Sequence, residues 1–78
     1  MINENNINKY GLQSYKEAFD LIQNFRGQGL MIIKELRGRT GLQLADVKTI
    51  IDDISNNEEA YKQYLYSRKV TGATDSII

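Results

Sequence analysis

The sequence predicts an all-α protein, a small bundle of about four short helices around a central hairpin that bends at Thr40-Gly41. Apolar residues recur at spacings of three and four, which is the period of an amphipathic helix. No stretch sustains the alternation of two that is typical of strands, and Gly or Asn separates the periodic segments. A chain of 78 residues is expected to form a single helical domain over residues 1–78.

The two ends of the chain lack this helical period. Met1 to Lys9 is polar and rich in Asn, which favours turns, and chain termini fray unless they dock. Residues 1–10 are therefore predicted to be a mobile N-terminal arm, and residues 71–78 a C-terminal tail.

The first predicted helix begins at Ser14, because Ser followed three residues later by Glu17 is a capping box. The helix is expected to end at Gly27, since glycine accepts the positive φ of a helix C-cap. The residues expected on its buried face are Tyr15, Ala18, Phe19, Ile22 and Phe25.

The next two helices are predicted to form the hairpin. The first covers residues 30–39, ends at Thr40-Gly41, and has an apolar stripe of Leu30, Ile33 and Leu36. Met31 and Ile32 widen this stripe, which indicates contacts on two sides of the helix. The stripe of the second helix, which is expected to end near Ser55, is Leu44, Val47, Ile50, Ile51 and Ile54. Leu42 and Leu44 are expected to plug the gap between the two helices.

A fourth helix is predicted to start at Asn56-Asn57, because Asn is a good N-cap and the acidic residues that follow favour the positive end of the helix dipole. It is expected to bury Tyr61, Tyr64 and Leu65 and to end near Lys69 or Val70. Tyr66 lies off this stripe. Its ring is predicted either to face outward, as an anchor for a partner, or to lie along a neighbouring helix or the arm.

The composition argues against catalysis and against a metal or cofactor site. The chain has no His and no Cys, which removes imidazole bases, thiol nucleophiles, disulfides and the usual zinc ligands. Neighbouring carboxylates such as Asp52-Asp53 point about 100° apart on a helix, so they do not converge on one substrate. We therefore predict that this protein is not an enzyme and has no metal or cofactor.

The charge balance argues against nucleic-acid binding. Ten Lys+Arg and ten Asp+Glu give a formal net charge of zero, whereas binding to phosphates needs an excess of basic residues. The helix that would have to read DNA carries Asp46, Asp52 and Asp53, which phosphates would repel. A protein of this composition that did bind nucleic acid would need a local basic patch. The residues available for such a patch are Arg26, Lys34, Arg37, Arg39 and Lys48.

The longest strongly apolar stretch argues against a membrane protein. It extends from Gly29 to Ile33, whereas a membrane span needs roughly 20 apolar residues. The sequence also has no secretory signal pattern. The expectation is therefore a soluble, cytoplasmic protein.

Residues 32–52 read IIKELRGRTGLQLADVKTIID. This segment resembles the helix–turn–helix of the C-terminal domain of the bacterial ribosomal stalk protein, a family with the approximate pattern Val-Ile-Lys-x-Val-Arg-x-x-Thr-Gly-Leu-Gly-Leu-Lys-Glu-Ala-Lys-x-Leu-Val-Glu. The resemblance covers about a quarter of the chain. Gln43 stands where the family has Gly, Ala45 stands where it has Lys, and the strands that surround the family's hairpin are not predicted here.

The stalk family docks translational GTPases through basic and apolar positions of this hairpin. By resemblance, the partner-binding residues are expected to be Ile33, Lys34, Arg37 and Lys48, with Tyr66 as a further anchor. Residues 33–41 are also similar to the start of the ubiquitin-associated-like N-terminal domain of elongation factor Ts, a three-helix module that binds an elongation factor.

The predicted function is that of a non-enzymatic protein-interaction module that binds a larger partner through the hairpin face, and the resemblances link it to translation. The small size and the many residues with AT-rich codons also suit a phage or mobile-element protein that inhibits a host factor. The thin core and the surface tyrosines would suit a self-associating structural protein, for example a homodimer.

Overall fold

The computed structural model describes residues 2–66, and each regular element in that part of the chain is a helix. Four of them are described from end to end: α1 (Glu4–Tyr10), α2 (Leu12–Asn24), α3 (Gly29–Thr40) and α4 (Leu44–Asn56). Residues 58–66 are also helical and are called α5. The predicted all-α bundle is confirmed, whereas the predicted tail at 71–78 and the predicted end of the last helix lie outside the described residues.

None of the helices within residues 2–66 combines the length and the apolar character that crossing a bilayer would require.

Apolar side chains from all five helices form the core. Helix α2 contributes the largest share and packs against α1, α3 and α4, while α3 also packs against α4. The buried apolar residues are Ile7, Tyr15, Ala18, Phe19, Leu21, Ile22, Ile32, Leu36, Val47, Ile50, Ile54, Tyr61 and Leu65. The predicted faces of α2 and α5 are largely confirmed, since Phe25 and Tyr64 are half-buried and the other predicted members are buried.

The N-terminal segment is not the mobile arm that its composition suggested. Residues 4–10 form α1, whose first turn is capped by Asn3: its side chain accepts a hydrogen bond of 3.1 Å from the Asn6 amide. The side chain of Ile7 is only 4% exposed, and α1 packs against α2. The prediction is wrong for these residues because Asn3 caps the helix, and Ile7 and hydrogen bonds to distant residues dock it on the rest of the fold.

The capping box predicted at Ser14 is also absent. Helix α2 begins at Leu12, so Ser14 lies inside its first turn. The residue before the helix is Gly11, whose φ of 97° turns the chain directly from α1 into α2. Glu17, the other half of the predicted box, forms an ion pair with Arg39 of α3 at 2.9 Å.

The hairpin bend at Thr40-Gly41 is confirmed. Gly41 adopts the left-handed conformation, with φ 74° and ψ 8°, and its amide donates to the Arg37 carbonyl at 2.9 Å. The Thr40 hydroxyl donates to the Leu36 carbonyl at 2.7 Å and accepts from the Leu42 amide at 3.2 Å. This residue thus holds the end of α3 and the start of the connection together.

The rotation of α3 differs from the predicted stripe. Ile32 and Leu36, four residues apart, face the core, whereas the Leu30 side chain is 85% exposed. Leu44 is 46% exposed and therefore does not plug the hairpin, which leaves the half-buried Leu42 as the residue that packs beneath the bend. The sequence has apolar residues at four consecutive positions, 30–33, so its spacing was compatible with more than one rotation of the helix.

Candidate functional site

An open groove of about 500 Å³ follows α3 to the hairpin bend. We call it the α3 groove, and it is lined by Leu30, Ile33, Lys34, Arg37, Gly38, Gly41 and Leu42. It joins apolar side chains to two cations on one surface, and this combination makes it the candidate interaction site.

The helical period explains why these side chains share one face. Ile32 and Leu36 point into the core. The residues on the opposite side of α3, Leu30, Lys34 and Arg37, therefore face solvent. Lys34 and Arg37 are three residues apart and therefore neighbours on this face. Gly41 then turns the chain back, which brings Leu42 to the end of the groove.

The apolar part of the groove is accessible. Leu30 is exposed almost fully, and Ile33 and Leu42 are half-buried at the margin of the core. A single exposed leucine is common on protein surfaces, but apolar residues that meet in a groove mark an interaction surface. Met31 and Leu44 are exposed as well, but they do not line the groove.

The two cations of the groove are exposed and form no salt bridge with any residue in the range 2–66. Within residues 2–66, by contrast, Arg26 and Arg39 are paired with carboxylates. Arg39 binds Glu17 at 2.9 Å, and the hydrogen bond from its guanidinium group, with one from Gln13, lowers the pKa of Glu17. Lys34 and Arg37 therefore project positive charge that no described carboxylate neutralises, and this charge favours an acidic partner.

Arg26 is likewise paired, with Glu58 at the start of α5. The Arg26 guanidinium group, together with the side-chain amide of Gln23 at 2.8 Å, lowers the pKa of the Glu58 carboxyl group. Two of the five cations that a nucleic-acid patch would need, Arg26 and Arg39, are thus bound to carboxylates.

Three of the five predicted partner-binding residues lie together: Ile33, Lys34 and Arg37 line the groove. Lys48 is exposed on α4 but is not part of the groove lining. Leu30 and Gly38 also line the groove and were not among the predicted binding residues. The position of Leu30, one turn before Ile33 and Lys34, was a signal that could have placed it there.

Tyr66 does not face outward. Its half-buried ring contacts the edge of the Phe19 ring, with the centroids 5.4 Å apart and the planes at 68°. Its hydroxyl group donates a hydrogen bond to Asp20, and this bond, together with desolvation, raises the pKa of Tyr66 to about 12. Of the two predicted placements, the one along a neighbouring helix is therefore observed.

A second, polar cleft lies where α1 meets α4 and the start of α5. Asp53 lines this cleft, and its Oδ2 atom accepts hydrogen bonds from the Tyr15 hydroxyl at 2.7 Å and from the side-chain amide of Asn6 at 2.9 Å. These bonds hold the fold together, so the carboxylate is already occupied. No three acidic side chains within residues 2–66 converge in a way that could hold a metal ion.

No protein-family model, curated protein or solved structure matches this chain. The fold and the groove define a small all-α protein with a basic and apolar face on α3. The resemblance of residues 32–52 to the ribosomal stalk hairpin stays a prediction.

Proposed function

We propose that this protein is a non-enzymatic interaction module that binds an acidic surface of a larger protein through the α3 groove. The observation that carries the proposal is the pairing of two exposed, unneutralised cations, Lys34 and Arg37, with the exposed side chain of Leu30.

The apolar residues supply affinity. Burying a leucine side chain that is otherwise in water contributes about 1.5–3 kcal/mol, so Leu30 alone would stabilise a complex measurably. The cations supply orientation and a faster encounter, because charge complementarity mainly affects specificity and the association rate. A partner with carboxylates around an apolar centre would use both.

The open shape of the groove supports a protein partner over a small molecule. Small ligands are bound in concave sites that enclose about 70–90% of their surface. The α3 groove is open to solvent along its length, so a small ligand would remain largely exposed. A protein segment covers such a surface because it brings its own flanking contacts.

The resemblance of residues 32–52 to the stalk hairpin supports a partner from the translation apparatus. Three of the positions carried over from that family, Ile33, Lys34 and Arg37, line the groove. An inhibitor of a host factor, encoded by a phage or mobile element, would use the same surface, and the identity of the partner separates these two cases. In either case we propose that the protein acts in the cytoplasm.

Affinity capture from cells that produce the protein, followed by quantitative mass spectrometry, tests the proposal. The double variant Lys34→Glu/Arg37→Glu should lose the captured partner while its helical circular dichroism stays unchanged. The matched control is Lys9→Glu/Lys62→Glu, which makes the same charge change at exposed positions outside the groove and should retain the partner.

Lys48→Glu tests the remaining predicted residue in the same assay. Because Lys48 is not part of the groove lining, this variant should capture the partner as the unmodified protein does. Equal capture by the groove variant and its control would reject the α3 groove. Light scattering tests self-association. A stable dimer that dissociates in Lys34→Glu/Arg37→Glu would show that the groove binds a second copy of the chain and not a different protein.

A further inference from the structure

Nothing in the fold of residues 2–66 requires a glycine at position 38. It lies in the interior of α3, where glycine disfavours a helix relative to alanine because it gains backbone freedom on unfolding. Its φ is not positive, unlike that of Gly11, Gly27 and Gly41, so no special backbone conformation requires it.

Packing does not require Gly38 either. A Cβ atom at this position would meet no side chain and no other element of the fold within 4 Å. An alanine would therefore fit within residues 2–66 without displacing a neighbour. Gly38 lines the α3 groove directly after Arg37.

We propose that Gly38 is the point at which a helix of the partner, amphipathic and carrying carboxylates, packs directly on the backbone of α3. This inference rests on the proposed function and deepens it by naming the form of the partner. Absence of a side chain lets two helices approach more closely, since the distance between packed helices depends on the side chains at their contact.

The geometry of the groove favours a helix over an extended segment. An extended peptide gains its main-chain hydrogen bonds from an exposed sheet edge, and residues 2–66 contain no strand. A helix satisfies its own backbone groups and needs only a complementary face. The groove from Leu30 to Gly41 corresponds to about 16 Å of helix axis, or roughly three turns.

The charges define which helix fits. Lys34 and Arg37 lie about 4.5 Å apart along the axis of α3, which is close to one helical turn. Carboxylates spaced three or four residues apart on the partner helix would therefore face both cations, while its apolar residues cover Leu30 and Ile33.

The test compares Gly38→Ala with Gly29→Ala. Gly29 is in the same helix, its Cβ would also lie in open space, and it does not line the groove. The probe is a fluorescein-labelled synthetic peptide of about 16 residues, which forms a helix with leucines on one face and glutamates one turn apart beside them. A second peptide has the same sequence with two central prolines, which prevent the helix.

Fluorescence anisotropy should show that the protein binds the helical peptide and binds the proline peptide at least about tenfold more weakly. Gly38→Ala should lower the affinity about tenfold, because a methyl group separates the two backbones. The same variant should unfold at a higher urea concentration, which excludes a loss of fold as the cause. Gly29→Ala should bind as the unmodified protein does.

Each other result has a definite consequence. Unchanged affinity of Gly38→Ala, with binding still lost in Lys34→Glu/Arg37→Glu, overturns the close approach but leaves the groove as the binding surface. Unchanged affinity in both variants overturns the groove as well. Equal binding of the two peptides, or no binding of the helical one, overturns an acidic helix as the partner.

Discussion

The hydroxyl group of Tyr15 in α2 donates a hydrogen bond of 2.7 Å to the carboxylate of Asp53 in α4. The ring of Tyr15 is stacked on that of Tyr61 in α5, with the centroids 5.4 Å apart and the planes at 20°. The Tyr61 hydroxyl in turn accepts a hydrogen bond of 2.8 Å from the Asn3 amide, and the Asn6 side chain donates to Asp53. This cluster connects α1, α2, α4 and α5, and it gives the N-terminal segment a fixed place.

Tyr15→Phe should destabilise the protein by about 1–3 kcal/mol, because it leaves the partly buried Asp53 carboxylate without its phenolic donor. Urea unfolding followed by circular dichroism measures the change. Tyr10→Phe is the matched control, since no hydrogen bond of the Tyr10 hydroxyl occurs within residues 2–66, and it should change the stability by less than about 0.5 kcal/mol. Equal effects of the two substitutions would show that the Tyr15–Asp53 bond does not stabilise the fold.

Ile7→Ala should cost about 2–5 kcal/mol if α1 is an integral part of the core, since the side chain is almost fully buried. Leu30→Ala removes a comparable side chain from a position that is 85% exposed, and it should change the free energy of unfolding by less than about 0.5 kcal/mol. Urea unfolding of both variants provides the comparison. A small effect at Ile7 would mean that α1 does not dock.

The two glycines near the bend should respond in opposite directions to alanine. Gly41→Ala should destabilise the protein by about 1–2 kcal/mol, because a side chain is strained at φ 74°. Gly38→Ala should stabilise it by about 0.5–1 kcal/mol, because alanine favours the helix and meets no neighbour. Thermal or urea unfolding measures both changes, and destabilisation by Gly38→Ala would reveal a packing role for this glycine.

Alkaline pH should unfold the protein through its tyrosines. Desolvation and the bond to Asp53 raise the pKa of Tyr15, desolvation raises that of Tyr61, and the bond to Asp20 raises that of Tyr66 to about 12. The folded state therefore keeps protons that the unfolded chain releases near pH 10, so this contribution to stability is complete below about pH 10. It is lost as the pH rises from there towards 12 and beyond.

Urea unfolding at several pH values between about 9 and 12 measures this loss. The slope of stability against pH should be negative above the pKa of a free tyrosine. Tyr66→Phe should make the slope smaller, since it removes one of the groups that titrates differently in the two states. A slope that is identical in the variant would contradict the role of the Tyr66–Asp20 bond.

Local signals predicted most of the helices. The positive φ of Gly41 and the hydroxyl bonds of Thr40 act within a few residues, so the sequence around the bend contained the information that fixes it. The order of α1 depends instead on contacts between residues that are 47 and 58 positions apart, Asn6 with Asp53 and Asn3 with Tyr61. Local sequence patterns do not predict contacts between residues so far apart in the chain.

Some residues of the candidate site could likewise be predicted from the sequence, whereas others depend on how the helices pack. Lys34 and Arg37 were predicted from the resemblance of residues 32–52 to the stalk hairpin, and their spacing along one helix places them together. The exposure of Leu30 depends on how α3 is rotated against α2, which the continuous apolar run of residues 30–33 left undecided. The contact of Tyr66 with Phe19 likewise depends on how α5 packs on α2.

Site-specific photo-crosslinking tests docking at the α3 groove most directly. A benzophenone amino acid would replace Leu30 in the groove or, as the control, the exposed Lys62 of α5, in cells that produce the protein. We expect a specific adduct with a larger protein from position 30, none from position 62, and loss of the adduct when Lys34→Glu/Arg37→Glu is added. An adduct that forms equally from both positions, or that survives the charge reversal, would contradict binding through the groove.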